Sequence, residues 1–174
     1  MNIPEINHKL VANHQIFTDY IINLPDSIFI QSKNGKWSPG QQLDHIRRSV
    51  QPLALGFSLP KWLIKMIFGK SNRQGRTYDE LVSKYQQKLQ EGGRASGRFI
   101  PKEIKVADRK KLVNSLTKDI QSLTRSIQKF SEADLENNVL PHPLLGKLTI
   151  REMLYFTIHH VEHHLDLIRK NISL

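Results

Sequence analysis

Residues 149–170 read TIREMLYFTIHHVEHHLDLIRK. Ile150, Leu154, Val161 and Ile168 recur at intervals of four and seven, which places them on one face of a helix and is incompatible with the alternation of a strand. Thr149, with Glu152 three residues later, is a capping box that opens this helix, and the pattern runs to about Lys170. The same run holds four of the eight histidines, His159-His160-Val161-Glu162-His163-His164. Positions four apart share a face, about 5–6 Å between Cβ atoms, which suits two imidazoles sharing a divalent metal. On the helical wheel His164 lies about 40° and His160 about 80° from the centre of the apolar stripe, whereas His159 and His163 lie on the far side. The inward pair is therefore His160/His164. Spacing alone leaves room for the plainer reading, hydrogen-bonded core histidines.

Working outward, three further long amphipathic segments read as helices. Ile6, Leu10, Phe17, Ile21 and Leu24 share a stripe with His14, behind an Asn2/Glu5 cap and ahead of Pro25. Ser38-Pro39-Gly40-Gln41 opens a second helix with the stripe Leu43, Ile46, Val50, Leu53 and Phe57, in which Pro52 predicts a kink. From about Asp108, Leu112, Leu116, Ile120, Leu123, Ile127 and Phe130 alternate by four and three. Shorter helices are expected over Trp62–Phe68 and from Thr77 to a Gly92-Gly93 stop, with an irregular loop over residues 92–106. Residues 25–37 and 131–148 read as connections, and no run reads as a strand. The expectation is an all-α four-helix bundle with short accessory helices, one domain over residues 1–174.

Composition narrows the chemistry. The chain has no cysteine, so disulfides, thiolate-bound metals and thiol nucleophiles are excluded. The longest apolar run is interrupted at Lys65, too short to span a bilayer, and Met1-Asn2-Ile3-Pro4-Glu5 does not open a secretory signal; a cytoplasmic location is expected. The net charge is +10, and residues 61–112 alone hold 14 basic against five acidic side chains. Such a field favours an anionic partner. Within it, Arg94, Arg98 and Lys102 sit in the glycine-containing loop, placed to meet a carboxylate or phosphate on a small substrate. The apolar residues of Trp62–Phe68 are expected in the core or at a homodimer contact; an interfacial helix on a membrane surface is the lesser alternative.

An inward histidine pair is an incomplete site, because a catalytic zinc-type centre takes three protein ligands. His8, His14, His45 and His142 are the remaining candidates. His8 is off its stripe, His142 lies between prolines, His14 suits helix packing, and His45 is about 120° from the centre of its apolar stripe. Periodicity does not choose among them. Asp44 and Glu162 adjoin histidines in sequence but point about 100° away on a helix, which suits solvated or orienting carboxylates more than a general base.

Residues 36–46, KWSPGQQLDHI, and 142–168, HPLLGKLTIREMLYFTIHHVEHHLDLI, resemble the second and last helices of DinB/YfiT-like proteins. That resemblance implies an up-down-down-up four-helix bundle in which three histidines hold a divalent metal. Carried over by position, the ligands are His45, His160 and His164. Met153 stands where the subgroup often has tryptophan. The resemblance further implies metal-dependent hydrolysis, or transfer of a low-molecular-weight thiol brought as cosubstrate. Nitrogen-only ligation suits zinc, nickel, iron and copper alike, with zinc or nickel expected first. A bundle that binds metal without turnover is the rival, since a fold does not guarantee a reaction. Nucleic-acid binding through residues 61–112 ranks lower, because no groove-reading motif accompanies the charge. The protein is accordingly expected to release duplex DNA at physiological salt in a fluorescence-anisotropy titration; retention there that is abolished by charge reversal in residues 61–112 contradicts this ranking.

Overall fold

The computed structural model describes residues 1–173. Its elements are α1 (Ile3–Ile22), α2 (Asp26–Ile30), α3 (Pro39–Ser58), α4 (Lys61–Phe68), α5 (Tyr78–Gln90), α6 (Arg109–Ile127), α7 (Glu132–Asn137), a hairpin of β1 (Val139–His142) and β2 (Gly146–Thr149), and α8 (Ile150–Ser173). Helix starts follow the capping chemistry of the sequence. Asn2/Glu5, Ser38/Gln41, Thr77/Glu80 and Thr149/Glu152 each exchange reciprocal side chain–backbone bonds, so two orphan amides are satisfied at each start. At the end of α5, Gly92 takes φ +89° and the amides of Gly92 and Gly93 donate to Leu89 O and Lys88 O. This is a Schellman stop, and it turns the chain into the loop that later covers the site.

The bundle is built from α1, α3, α6 and α8. Helices α1 and α3 each pack against both α6 and α8, and touch one another only marginally. The core has two clusters. One gathers Ile6, Leu10, Phe57, Leu81, Leu123, Ile127 and Leu154; the other gathers Phe17, Ile21, Leu43, Val50, Leu116, Val161 and Ile168. Along α1 the change falls at His14, and along α8 at His159-His160. The polar interior thus occupies the join between two apolar clusters.

Helix α3 runs on through Pro52. Two local expectations change: residues 26–30 of the first connection form one helical turn, and the second connection holds strands. The hairpin is an addition: Leu140 pairs with Leu148 and His142 with Gly146. Its strands are four residues long and proline-interrupted, too short for period-two alternation to be visible. Helix α4 corrects the expectation of a core segment. Only Ile64 is buried, while Trp62 and Met66 are 65% and 68% exposed, because this short helix follows directly on α3 and presents just one edge to the bundle.

One ionic node fixes the start of α8. The Glu152 carboxylate has no solvent exposure and receives Arg73 Nη2 at 2.6 Å and Arg76 Nη1 at 3.0 Å, together with the amides of Arg76 and Thr149. Burial by itself would raise the pKa of this carboxyl; the bonds from Arg73 and the two amides hold it below its ordinary value. A lowered folded-state pKa contributes stability above the unfolded pKa and loses it as pH falls through the folded one. Glu152→Gln is therefore expected to cost about 3 kcal/mol in urea unfolding at pH 7, with the difference shrinking as pH falls through and below the ordinary carboxyl range of about 4. An equal cost at all pH values refutes an ionic origin.

Candidate metal centre

Three imidazoles meet inside the bundle. His45 comes from α3 and His160 and His164 from successive turns of α8; all three are 5% exposed. Their ligating nitrogens lie within 4.8 Å of one another. His160 Nε2 is 3.2 Å from His45 Nε2 and 3.0 Å from His164 Nε2. Trp37, just ahead of α3, lies against the cluster, its ring centroid 5.0 Å from that of His45.

The bonds on the far side of the rings decide what this point can hold. His45 Nδ1 is 2.7 Å from the carbonyl of Phe99, and a carbonyl only accepts, so His45 carries its proton on Nδ1. His164 Nδ1 meets Gln42 Oε1, another acceptor, and is protonated likewise. Both rings therefore turn an Nε2 lone pair toward the common point. His160 Nε2 can supply at most one proton between two lone pairs, so the cluster is short of donors. A cation at that point satisfies all three nitrogens, and the backing carbonyl and amide are the partners that orient ligand histidines and make them more basic. Burial and the proximity of the other rings hold His160 and His164 well below the ordinary imidazole value, and burial lowers His45 too. The rings are neutral at pH 7, as ligands must be. The donor set fits a divalent metal.

The other residues singled out in the sequence divide clearly. His159 and His163 are half-buried against Tyr85 of α5, at ring separations of 6.0 and 5.7 Å, and stand outside the cluster. They do not face open solvent, because α5 covers that flank of α8. Glu162 accepts from Asn13 and Tyr78 on the outside of the bundle. Asp44 is buried and braces rather than reacts: it takes Arg48 Nε at 2.6 Å, Arg47 at 3.1 Å and the amide of Lys102 at 3.3 Å. Arg48 in turn donates to Arg98 O. These bonds hold residues 98–102 across α3, where Phe99 O reaches His45. Gln42 and the Phe99 carbonyl were not legible as site groups, since neither has a sequence signature.

A cavity of about 130 Å³ opens beside His45 and His160. Its wall is largely apolar, with Ile46, Val50, Leu53, Leu89, Met153 and Phe156 among the lining residues. Arg94 and Arg98 also line it and are themselves exposed, so they stand at its mouth. Lys102, the third basic residue of the loop, is not in the wall; its amide is used on Asp44 and its side chain is exposed. Asp44→Ala is expected to raise amide exchange over residues 97–104 by at least about tenfold while leaving α1 and α6 unchanged. Unchanged exchange in that loop rules out the bracing role.

The comparisons agree with this architecture. A crystal structure of an uncharacterized protein from Clostridium difficile 630 superposes with a TM-score of 0.58 at 14% identity, covering 100% of this chain and 97% of that one, a likeness of fold. No curated protein matches the chain. The family model described as the DinB superfamily matches residues 9–168, a span that takes in all three clustered histidines. With a helical bundle, an inward histidine triad and a family match over nearly its whole length, the chain belongs to the DinB superfamily.

Proposed function

We propose that this protein is a metal-dependent enzyme acting on a small, anionic molecule, by hydrolysis or by transfer of a low-molecular-weight thiol. His45, His160 and His164 hold one divalent ion, zinc or nickel. The observation that carries the reading is the pair of fixed tautomers, His45 backed by Phe99 O and His164 by Gln42 Oε1, with both lone pairs converging beside a cavity. A purely structural site has no need of an adjoining apolar pocket; a catalytic one keeps a position open toward its substrate.

When bound, the metal supplies Lewis acidity. The chain supplies everything else. Arg94 and Arg98 at the mouth meet a carboxylate or phosphate, and the guanidinium is suited to both because its fork matches two oxygens. The apolar wall excludes bulk water, which strengthens each remaining polar contact. With no cysteine in the chain, a reacting thiol enters as a cosubstrate.

The test is metal stoichiometry on untagged protein and its variants, each checked for helicity by circular dichroism. Wild type is expected to hold about one ion per chain, and His45→Ala, His160→Ala and His164→Ala to lose it. His159→Ala and His163→Ala keep it. Gln42→Leu keeps the ligands but frees the His164 tautomer, and is expected to weaken binding by about 10–100-fold. Wild type without metal, or a site emptied by His159→Ala yet retained by His160→Ala, overturns the assignment.

A further inference from the structure

Two histidines outside the triad also line the cavity, His14 from α1 and His142 from the hairpin. Each has one ring nitrogen committed to backbone, and the two commitments are of opposite kind. His14 Nδ1 lies 2.8 Å from Leu10 O, so it donates, and the ring's proton is fixed on Nδ1. Its Nε2 is then a lone pair, buried and without a partner among the described residues. His142 Nδ1 accepts the amides of Leu144 at 3.1 Å and Leu145 at 3.0 Å, so the proton of that ring is on Nε2. Nε2–H is the one polar group His142 has left for the cavity.

We propose that His14 and His142 are the ligand-reading residues of this cavity, His14 accepting from an O–H or N–H of the bound molecule and His142 donating to one of its acceptor atoms. The ligand class follows for the part of the molecule inside the cavity: a compact, mainly apolar body with a protic group and a carbonyl-like or ether-like acceptor, its anionic group left at the mouth with Arg94 and Arg98. Both rings are neutral at pH 7, since burial pushes each down to about 4, so their roles do not interchange with modest changes of pH. The packing keeps them in place. The His142 ring lies 4.3 Å from Phe156, centroid to centroid, and His14 is 3% exposed between the two core clusters. A buried acceptor left unmade is costly, so a protic ligand that reaches it gains over an apolar one of the same shape. The size suits one ring: an apolar cavity of about 150 Å³ accepts benzene.

This inference rests on reading the cavity as the substrate pocket of the proposed enzyme, and its tests separate the two. Long-range ¹H–¹⁵N correlation on the full-length protein reads the tautomers directly. His14 Nε2 and His142 Nδ1 are expected at pyridine-type shifts; a pyrrole-type shift at either overturns the assignment of that ring. Binding is then measured by calorimetry with two shape-matched pairs, phenol against toluene and acetophenone against cumene. His14→Leu is expected to weaken phenol by about tenfold and to leave toluene within about twofold. His142→Asn keeps an acceptor for the turn amides, as in an Asx turn, but loses Nε2–H; it is expected to weaken acetophenone by about tenfold and spare cumene. Equal losses within a pair, or none, overturn the proposal. Metal content is measured on the same samples. An empty triad with intact discrimination counts against the enzyme and for this inference, and a filled triad without discrimination does the reverse.

Discussion

Four imidazoles are buried along the interior of this bundle, and each must find partners for two nitrogens with little help from solvent. His14, His45, His160 and His164 are all at or below 5% exposure. An unmet ring nitrogen there costs as much as a good hydrogen bond gains, so neighbouring structure is organised to meet them. Leu10 O on α1, Phe99 O on the loop and Gln42 on α3 take up the outer nitrogens of three rings. The inner nitrogens are left facing one another and the cavity. What is shared by these bonds is direction: each partner is an acceptor, so each forces its ring to offer a lone pair inward. Interior polarity is thereby set by backbone and amide groups that do no chemistry themselves.

The same constraint accounts for features that look unrelated to the site. Loop 92–106 has little secondary structure, yet it must deliver Phe99 O to within hydrogen-bonding distance of α3. Asp44 and Arg48 hold it there from one side, and the Schellman stop after α5 sets its direction from the other. At the opposite end, the hairpin leads into α8 through the Thr149/Glu152 box, and Arg73 and Arg76 clamp that box from the segment before α5. Rotating α8 by one residue would swing His160 and His164 by about 100° out of the triad. The buried carboxylate of Glu152 makes such a shift costly, because it would strand a charge away from both arginines.

How much of this was legible in sequence depends on the range of the interaction. The caps are local, so Asn2/Glu5, Ser38/Gln41, Thr77/Glu80 and Thr149/Glu152 could be read directly. The inward register of His160 and His164 was equally local, since four stripe residues on the same helix define it. His45 was not. Periodicity places it off the apolar stripe of α3, and it is buried because Trp37, α8 and residues 97–102 close over that flank; a helical wheel knows nothing of a loop fifty residues away. His14 and His142 were read as packing and loop residues for the same reason. Their roles depend on which carbonyl or amide sits beside Nδ1, a three-dimensional fact with no spacing rule. The hairpin escaped because its strands are shorter than the window in which alternation can be recognised.

The basic middle of the chain shows how charge counted in sequence is redistributed by folding. Residues 61–112 hold most of the positive excess, which by itself points to a large anionic partner. Five of its fourteen basic side chains are engaged in ion pairs within the chain. Arg73 and Arg76 neutralise Glu152, Lys61 pairs with Asp134, Lys88 with Glu91, and Arg109 reaches Asp26 while packing over Phe29. Four of those five pairs join segments distant in sequence, so they tie accessory pieces to the bundle rather than advertise a surface. Arg94 and Arg98 differ in standing at the mouth of the cavity, with Arg98 over the ring of Phe99, the residue whose carbonyl backs His45. On the proposed reading, an anion that meets these guanidinium groups is held at the opening beside the triad, where the wall turns apolar and the imidazoles are neutral. In that reading the charge outside concentrates the proposed ligand, and the neutral donors and acceptors of fixed sense inside are what remain to orient it.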